Sequence, residues 1–280
     1  MSAEFDLIRE YFAAATPQRA DVLLGIGDDC ALLEVPPGMT LAVSMDTLVS
    51  GRHFFPEVNP ESLGHKALAV NLSDLAAMGA TPAWVTLGLT LPDASARWRA
   101  WLSGFMQGMT ALAKQYQVQL IGGDTTRGPL SMTLQVHGFV PAGKGLRRSG
   151  AKAGDQVYVS GTLGDAGLAL QLIQTPEHTA LDTVLANRLD RPSPRVTLGQ
   201  ALLPIASAAI DISDGLAADL GHLSAASRCA AKIELDRLPL SSAVRQYVER
   251  NADWRLPLTA GDDYELVFTV PAAHCDDLEQ

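Results

Sequence analysis

Aspartates stand where the predicted strands, glycine turns and helices of this 280-residue chain meet. The strand predicted over Leu41–Met45 is followed directly by Asp46, and the strand predicted over Val118–Ile121 leads into the segment Gly122–Asp124. Ligands of α/β folds collect beyond the carboxyl ends of strands, and glycine lets a ligand approach the backbone closely. We therefore expect alternating strands and helices with an acidic ligand-binding edge.

Seven aspartates share this placement, and their chemistry indicates magnesium. A single aspartate in a turn or at a helix start is usually structural, but seven together would repel one another without cations. Carboxylate oxygens without His or Cys partners suit Mg²⁺ rather than Zn²⁺. Of the seven, Asp28 is assigned to a turn rather than to the metal. The seven are Asp28, Asp29, Asp46, Asp74, Asp124, Asp211 and Asp214.

Composition narrows the classes of function. The 31 acidic side chains exceed the 21 Lys and Arg and give a net charge of −10, so neither nucleic acid nor an anionic membrane is an expected partner. Apolar stretches stay shorter than about 18 residues, so no transmembrane helix is predicted. Three widely spaced cysteines and an N-terminus without signal-peptide features favour a cytoplasmic protein.

The alternating patterns predict an α/β (α+β) fold in two domains. The Pro- and Gly-rich, basic segment Pro141–Gly154 holds the predicted boundary, which gives domains 1–143 and 144–280. Helices are predicted over 4–15, 63–78 with an interruption at 71–74, 94–116, 163–174, 194–203 and from 213–215 to 227. Strands are predicted over 41–45, 84–91, 118–121, 131–140, 156–160, 208–212, 232–235 and 266–270.

One internal similarity has two interpretations. The segments Asn71–Gly79 and Asp211–Gly221 both place Ser-Asp at a predicted helix start. The similarity is either a chance likeness of two helix caps or the trace of a strand-loop-helix unit shared by the two halves.

Common nucleotide-binding and covalent-catalysis motifs are missing from the sequence. It has no GxxxxGK[ST] loop, no Gly-x-Ser-x-Gly elbow and no credible Cys–His pair. Asp211 and Asp214 are three positions apart, whereas an aspartyl-phosphate enzyme of the haloacid-dehalogenase type needs two. Arg148 is placed to bind a phosphate, with a solvated basic loop as the alternative. A structural role is the alternative for His53.

Seven segments of the chain form a recognisable series: Gly25–Ala31, Asp46–Phe54, Lys66–Gly79, Ile121–Pro129, Arg148–Ala151, Asp211–Gly215 and Asp263–Leu266. In this order they resemble the thiamine-monophosphate kinases. The Ser-Asp-Leu-Ala-Ala-Met-Gly and Gly-Gly-Asp-Thr blocks are shared with a wider superfamily that includes aminoimidazole-ribonucleotide synthetase and selenophosphate synthetase. The segment around His53 and the Thr-Arg-Gly-Pro extension point to the kinase branch.

The resemblance implies that ATP and thiamine monophosphate give ADP and thiamine diphosphate, the last step of thiamine diphosphate synthesis. It also implies a homodimer formed by the N-terminal α/β domain, and several Mg²⁺ ions bound with ATP in a cleft between domains. Catalysis would then be electrostatic, without a catalytic side chain. The implied metal ligands are Asp29, Ser44, Met45, Asp46, Asp74, Asp124, Asp211 and Asp214. The implied nucleotide contacts are Gly123, Asp124, Arg148 and Ser213, and the implied substrate contacts are His53 and Asp262.

Three features depart from the family's pattern. Met45 stands where relatives often carry Thr, so only its backbone carbonyl could bind a metal. Asp262 replaces the usual Glu and is one methylene shorter. The chain ends in what reads as the first turn of a helix, where family members continue, so a truncated sequence is expected. The alternatives are another synthetase of the superfamily and a non-enzymatic Mg²⁺–nucleotide-binding module.

Overall fold

The computed structural model describes residues 8–12, 15–93, 95–175 and 183–279. The chain divides into two compact units, Met1–Leu75 with Thr81–Gly143, and Ala76–Ala80 with Lys144–Gln280. Both units combine helices with strands, so the α/β (α+β) class predicted from the sequence is confirmed. In the described part of the chain, no helix is both long and apolar enough to span a membrane.

The first unit is built on a four-stranded sheet. Its strands lie in the order β3-β6-β4-β5, in which β4 and β5 are parallel and the other neighbours antiparallel. Parallel strands cannot be joined by a tight turn, and the connection from β4 towards β5 contains α2. The elements of this unit are β1 (Val22–Leu24), β2 (Leu32–Leu33), β3 (Met39–Val49), α1 (Pro60–Ala77), β4 (Thr81–Leu91), α2 (Ala96–Tyr116), β5 (Gln119–Arg127) and β6 (Ser131–Pro141).

The alternation of apolar and polar residues sets which face of each strand is buried. In β6, the side chains of Met132, Leu134 and Val136 are buried on one face and alternate with half-buried neighbours, as the period of two requires. Trp84 of β4 packs edge-on against Phe139, with 5.0 Å between ring centroids. Trp84 therefore belongs to the core.

The interruption predicted within the first long helix is wrong, because α1 runs without a break through 71–74. Ser73 is fully buried inside it, and Asn71 Nδ2 donates a hydrogen bond of 2.9 Å to the Ala67 carbonyl one turn earlier. Packing of the helix overrides the preference of Ser and Asp for caps. The Ser-Asp similarity between the two halves is consequently not a shared helix start.

The second unit has a three-stranded antiparallel sheet in the order β7-β9-β8. Buried leucines from helix and sheet fill its core, among them Leu216, Leu220 and Leu223. The elements are β7 (Gln156–Val159), α3 (Asp165–Ile173), α4 (Thr183–Asp190), α5 (Val196–Leu202), β8 (Ala208–Ile212), α6 (Leu216–Ser227), α7 (Ser242–Asn251), α8 (Arg255–Thr259) and β9 (Glu265–Val270).

Two predicted elements differ from the structure or lie partly outside it. The strand predicted over 232–235 is wrong, since these residues pair with no described strand and Leu235–Arg237 forms a 3-10 turn. Lys232 instead forms an exposed ion pair with Glu234 at 2.9 Å. Of the helix predicted over 4–15, Ile8–Phe12 form a short π-helical turn, and residues 4–7, 13 and 14 lie outside the described residues.

Candidate active site

The predicted site residues are divided between the two units. The first unit contains Asp29, Ser44, Met45, Asp46, His53, Asp74, Gly123 and Asp124, and the second contains Arg148, Asp211, Ser213, Asp214 and Asp262.

Strand β3 and helix α1 bring three of the predicted metal ligands together. Ser44 and Asp46 are two positions apart and lie on the same face of β3. Ser44 Oγ donates a short hydrogen bond to Asp74 Oδ2 of α1. The Asp46 backbone N–H donates to Asn71 Oδ1 at 3.1 Å. Asn71 therefore fixes the backbone at Asp46, a role that the sequence did not indicate because it depends on a contact 25 positions away.

Met45 lies between these two residues and points the other way. Its side chain is 59 % exposed, on the face of β3 opposite to Ser44 and Asp46. Only the backbone of Met45 can therefore contribute to a site shared with its neighbours.

The electrostatics of this centre fit a cation. Burial, and next the negative charge of Asp74, raise the pKa of Asp46 to about 6. A divalent cation placed between two neighbouring carboxylates offsets the repulsion between their negative charges. Carboxylate and hydroxyl oxygens are ligands that Mg²⁺ prefers, so the residues present fit magnesium.

A cavity of about 610 Å³ lies between the loop 26–31 and strand β5 in the same unit. Asp29, Gly123 and Asp124 line it. Asp28 lines it as well, but its Oδ1 accepts a hydrogen bond of 2.8 Å from the Asp29 N–H, which matches the turn role predicted for Asp28. The cavity therefore presents carboxylates beside a glycine backbone.

Gly123 allows this close approach of β5 to β4. Its φ is +154°, and a Cβ atom built on it would lie 1.9 Å from the Leu87 carbonyl oxygen. A side chain at this position would collide with backbone, so the wall of the cavity depends on glycine here.

His53 follows β3 in a tight turn. Its ring Nδ1 accepts a hydrogen bond of 3.0 Å from the Val49 backbone N–H, and the His53 backbone N–H donates one of 2.9 Å to the Val49 carbonyl. Because Nδ1 is an acceptor, the neutral ring carries its proton on Nε2. The ring thus has a structural hydrogen bond and also presents an N–H donor on its exposed side.

In the second unit, the end of β8 and the loop after it carry three of the predicted residues. Asp211 is buried near the end of the strand, Ser213 is half-buried, and Asp214 is exposed. Gly215, with a φ of +103°, then leads into α6. The backbone N–H groups of Ser213 and Asp214 each donate to Asp219 Oδ2 at 3.0 Å.

Sequence reasoning missed Asp219. The available signal was an aspartate at a position of α6 that otherwise continues a buried leucine face. Its partners at positions 213 and 214 could not be read from that pattern.

The loop that carries Asp262 runs beside this first loop. Asp262 N–H donates to the Ser213 carbonyl at 3.0 Å, and Tyr264 N–H donates to the Ile212 carbonyl at 2.8 Å. Asp262 and Tyr264 both have positive φ, +68° and +48°. Their left-handed backbone turns the chain back onto the loop 212–213, so the predicted substrate residue and the predicted nucleotide residue are joined by backbone hydrogen bonds.

Arg148 lies in an exposed segment at the C-terminal end of α6. Its carbonyl accepts a hydrogen bond of 2.8 Å from Ser227 Oγ, and Ser227 Oγ in turn accepts one of 3.1 Å from the Gly150 N–H. The backbone is held by the helix end while the residue as a whole stays exposed, an arrangement suited to binding an anion from solvent.

A buried ionic cluster lies at the start of β9, beside the predicted substrate loop. Glu265 is fully buried and pairs with Arg188 at 2.7 Å and with Arg195. The Gly164 N–H donates a bifurcated hydrogen bond to both carboxylate oxygens of Asp263, each at 3.0 Å, and burial raises the pKa of Asp263 to about 7 despite this bond. None of these residues was predicted as part of the site, and they anchor the end of the loop.

Within the described ranges, no group of three or more His, Cys, Asp or Glu side chains is arranged to hold a metal ion by itself. The predicted ligand set therefore stays a prediction, supported by the Ser44–Asp46–Asp74 grouping.

Comparison with known proteins identifies close relatives. The AIR synthase related protein N-terminal domain family matches residues 27–140. Thiamine-monophosphate kinase of Salmonella typhimurium is 54 % identical over 271 residues, which cover 96 % of this chain and 82 % of the relative.

Solved structures agree with this relationship. The structure of thiamine-monophosphate kinase from Stenotrophomonas maltophilia superposes with a TM-score of 0.89 at 51 % identity, over 99 % of this chain and 89 % of that one. The structure of AaThiL complexed with AMPPCP and TMP superposes with a TM-score of 0.79 at 33 % identity, over 90 % of this chain and 82 % of that one.

Proposed function

The chain belongs to the thiamine-monophosphate kinase family, and we infer that it phosphorylates thiamine monophosphate with ATP to give thiamine diphosphate. The observation that carries this conclusion is the 54 % identity to the Salmonella typhimurium kinase over 96 % of the chain. The relationship favours the kinase over the synthetases of the wider superfamily and over a non-enzymatic binding module.

We propose that magnesium ions are held by Asp29, Ser44, Asp46, Asp74, Asp124, Asp211 and Asp214, with the backbone of Met45 as a further ligand. Bound Mg²⁺ would neutralise the phosphates and stabilise the charge that develops during transfer. Support comes from the Ser44–Asp74 hydrogen bond and from the raised pKa of Asp46. Because the chain carries a net charge of −10, it needs such cations to bring two phosphorylated substrates together.

The acceptor chemistry explains why the described site has no strong general base beside a nucleophile. A phosphate monoester has a second pKa of about 6 and is mostly a dianion at pH 7. It can attack the γ-phosphate without losing a proton to the protein. We therefore propose direct in-line transfer, with no phosphorylated enzyme on the path.

The nucleotide would be bound by Gly123, Asp124, Arg148 and Ser213. Gly123 and Asp124 line the cavity beside β5, and the exposed Arg148 can form two parallel hydrogen bonds to a phosphate. Thiamine monophosphate would contact His53 and Asp262. The Nε2–H of His53 is a hydrogen-bond donor, and Asp262 is linked through backbone to Ser213.

A homodimer formed by the first unit is part of the proposal. Strand β3 is an edge of its sheet among the described strands, and its outer face is apolar. Leu41, Val43 and Met45 on that face are 39, 50 and 59 % exposed. Exposed contiguous apolar surface of this kind marks an interface. Wild-type protein should sediment as a dimer and Val43→Asp as a monomer, and a wild-type monomer at micromolar concentration would contradict the proposal.

We also propose a cytoplasmic location, supported by the three free cysteines Cys30, Cys229 and Cys275. Their thiols would be kept reduced in that compartment.

The decisive experiment is an assay of thiamine diphosphate and ADP after incubation with ATP, Mg²⁺ and thiamine monophosphate. Equal amounts of both products are expected, and their formation should stop when EDTA removes the metal. Rapid quenching with γ-labelled ATP should show label in thiamine diphosphate and none on the protein. Release of phosphate without thiamine diphosphate would contradict the kinase assignment, and labelled protein on the path would contradict direct transfer.

A further inference from the structure

One aspartate interrupts the buried face of α6. Leu216, Leu220 and Leu223 of this helix are in the core, and Asp219, only 3 % exposed, lies among them. A buried carboxylate costs free energy even when it is hydrogen-bonded. A leucine would continue the apolar face, so packing alone does not explain an aspartate at this position.

The hydrogen bonds of Asp219 explain it. One oxygen, Oδ2, accepts from two successive backbone N–H groups, Ser213 and Asp214, each at 3.0 Å. Gly215 separates these residues from the helix with a φ of +103° that a residue with a Cβ rarely adopts. The carboxylate thus holds the two peptide groups that directly precede Gly215, the most permissive backbone position of the loop.

We infer that Asp219 is a positioning residue that orients Ser213 and Asp214 before nucleotide and magnesium bind. The inference rests on the roles proposed above for those two residues. Asp219 fixes their peptide groups and with them the directions of their side chains. The Asp262 N–H bonded to the Ser213 carbonyl at 3.0 Å extends the same constraint to the proposed substrate loop.

A purely stabilising role is the competing explanation. Asp219 lies in the first turn of α6, where a carboxylate interacts favourably with the helix N-terminus. In that case its loss would lower stability without changing how the loop is ordered or how nucleotide binds.

Two substitutions separate these explanations. In Asp219→Asn, the amide Oδ1 can accept both N–H groups, because both go to a single oxygen in the wild type. In Asp219→Leu, both bonds are lost while the number and branching of the side-chain heavy atoms are kept and the leucine face is extended. If Asp219→Leu does not fold, Asp219→Ala removes the same bonds with less bulk. Ser241→Ala is the control, because it removes a cap from α7, where Ser241 Oγ accepts from Val244 N–H at 3.2 Å.

The first readout is amide hydrogen exchange in the protein without ligands. The Ser213 and Asp214 amides should exchange at least ~10-fold faster in Asp219→Leu than in wild type, relative to the Ile210 and Val267 amides of the sheet. Asp219→Asn and Ser241→Ala should leave the two amides protected. Unchanged exchange in Asp219→Leu would overturn the inference.

The second readout is binding of a non-hydrolysable ATP analogue as Mg²⁺ is titrated. Loss of a residue that orients a metal ligand costs about 10- to 100-fold in affinity, and we expect this loss for Asp219→Leu but not for Asp219→Asn. Wild-type affinity in a folded Asp219→Leu would leave only the stabilising role. Neither readout requires turnover, so a wild-type protein that makes no thiamine diphosphate would refute the proposed function and still leave this inference decidable.

Discussion

The phenol of Tyr264 donates a hydrogen bond of 3.1 Å to Asp262 Oδ1, and both residues have a left-handed backbone. The pair orients a carboxylate that is one methylene shorter than the glutamate usual in the family. Asp is more tolerant of positive φ than most residues, so an aspartate at position 262 suits the backbone that the loop 260–264 requires. Tyr264 in turn limits where the shorter side chain can point.

Tyr264→Phe should therefore weaken binding of thiamine monophosphate. Loss of one hydrogen bond to a carboxylate is worth about 1.5–3 kcal/mol when the group is fully desolvated, and less at this half-buried position. We expect KM for thiamine monophosphate to rise roughly 3- to 10-fold, with kcat and the KM for ATP near wild type.

The matched control for this change is Tyr247→Phe. Tyr247 of α7 makes a similar hydrogen bond of 3.2 Å to Asp253, and neither residue is among the proposed substrate contacts. Its kinetic constants should not change. Equal effects of the two substitutions would show that Tyr264 acts only through stability.

Asp46→Asn should separate activity from stability. Loss of a group that stabilises transition-state charge lowers kcat by at least ~10²-fold, and we expect the same for Asp124→Asn. Without Mg²⁺ at pH 8, however, Asp46→Asn should raise Tm, because burial and the Asp74 charge disfavour the ionised Asp46 carboxylate in the folded protein.

Asp93→Asn is the control for both variants. Asp93 is exposed, and its Oδ1 accepts from the Ser95 N–H at 2.8 Å, in the loop after β4. Its turnover should match wild type. Unchanged kcat in Asp46→Asn or Asp124→Asn would remove that residue from the proposed metal site.

Two adjacent glycines of β5 should respond differently to alanine. A Cβ at Gly123 would lie 1.9 Å from the Leu87 carbonyl oxygen, whereas a Cβ at Gly122 meets no atom within 4 Å. Gly123→Ala should lower the free energy of unfolding by about 1–3 kcal/mol or more, since backbone must move. Gly122→Ala should stay within about 1 kcal/mol of wild type. Urea denaturation measures both, and similar values for the two variants would contradict the close approach of β4 and β5.

Asp263 should make stability fall as pH rises. Burial, the largest influence, raises its pKa in the folded protein to about 7 from the ordinary value of 3.8. Well below pH 3.8 the carboxyl is protonated in both the folded and the unfolded state, so its titration does not change the free energy of unfolding there. Between about pH 4 and 7 the unfolded chain loses this proton while the folded protein keeps it, so the free energy of unfolding declines through this range and levels off above it.

Asp263→Asn removes this contribution. The stability of Asp263→Asn relative to wild type should therefore increase between pH 5 and pH 8 in urea titrations. Asp253→Asn serves as the control. The hydrogen bond from Arg255 lowers the pKa of Asp253, so this carboxyl is already ionised in both states at pH 5. The difference in the free energy of unfolding between Asp253→Asn and wild type should therefore be constant from pH 5 to pH 8. A constant difference for Asp263→Asn as well would contradict the raised pKa.

The amino-acid sequence by itself determined the local elements and the chemistry at their ends. The apolar run 41–45 located the strand that leads to Asp46, and similar runs located most of the other strands and helices. Tertiary structure decided the rest. Packing carried α1 straight through Ser73, and the predicted strand at 232–235 has no described strand to pair with.

The contacts that order the candidate site were also beyond local reasoning. Asn71 reaches Asp46, Asp219 holds the Ser213–Asp214 turn, and Tyr264 orients Asp262. Propensity and periodicity act over one or two turns of chain, whereas burial, backbone strain and the partner of a buried polar group depend on which segments the fold brings together. The types of side chain that the site needs can therefore be identified from the sequence. Their orientation is set only by the residues that the fold packs against them.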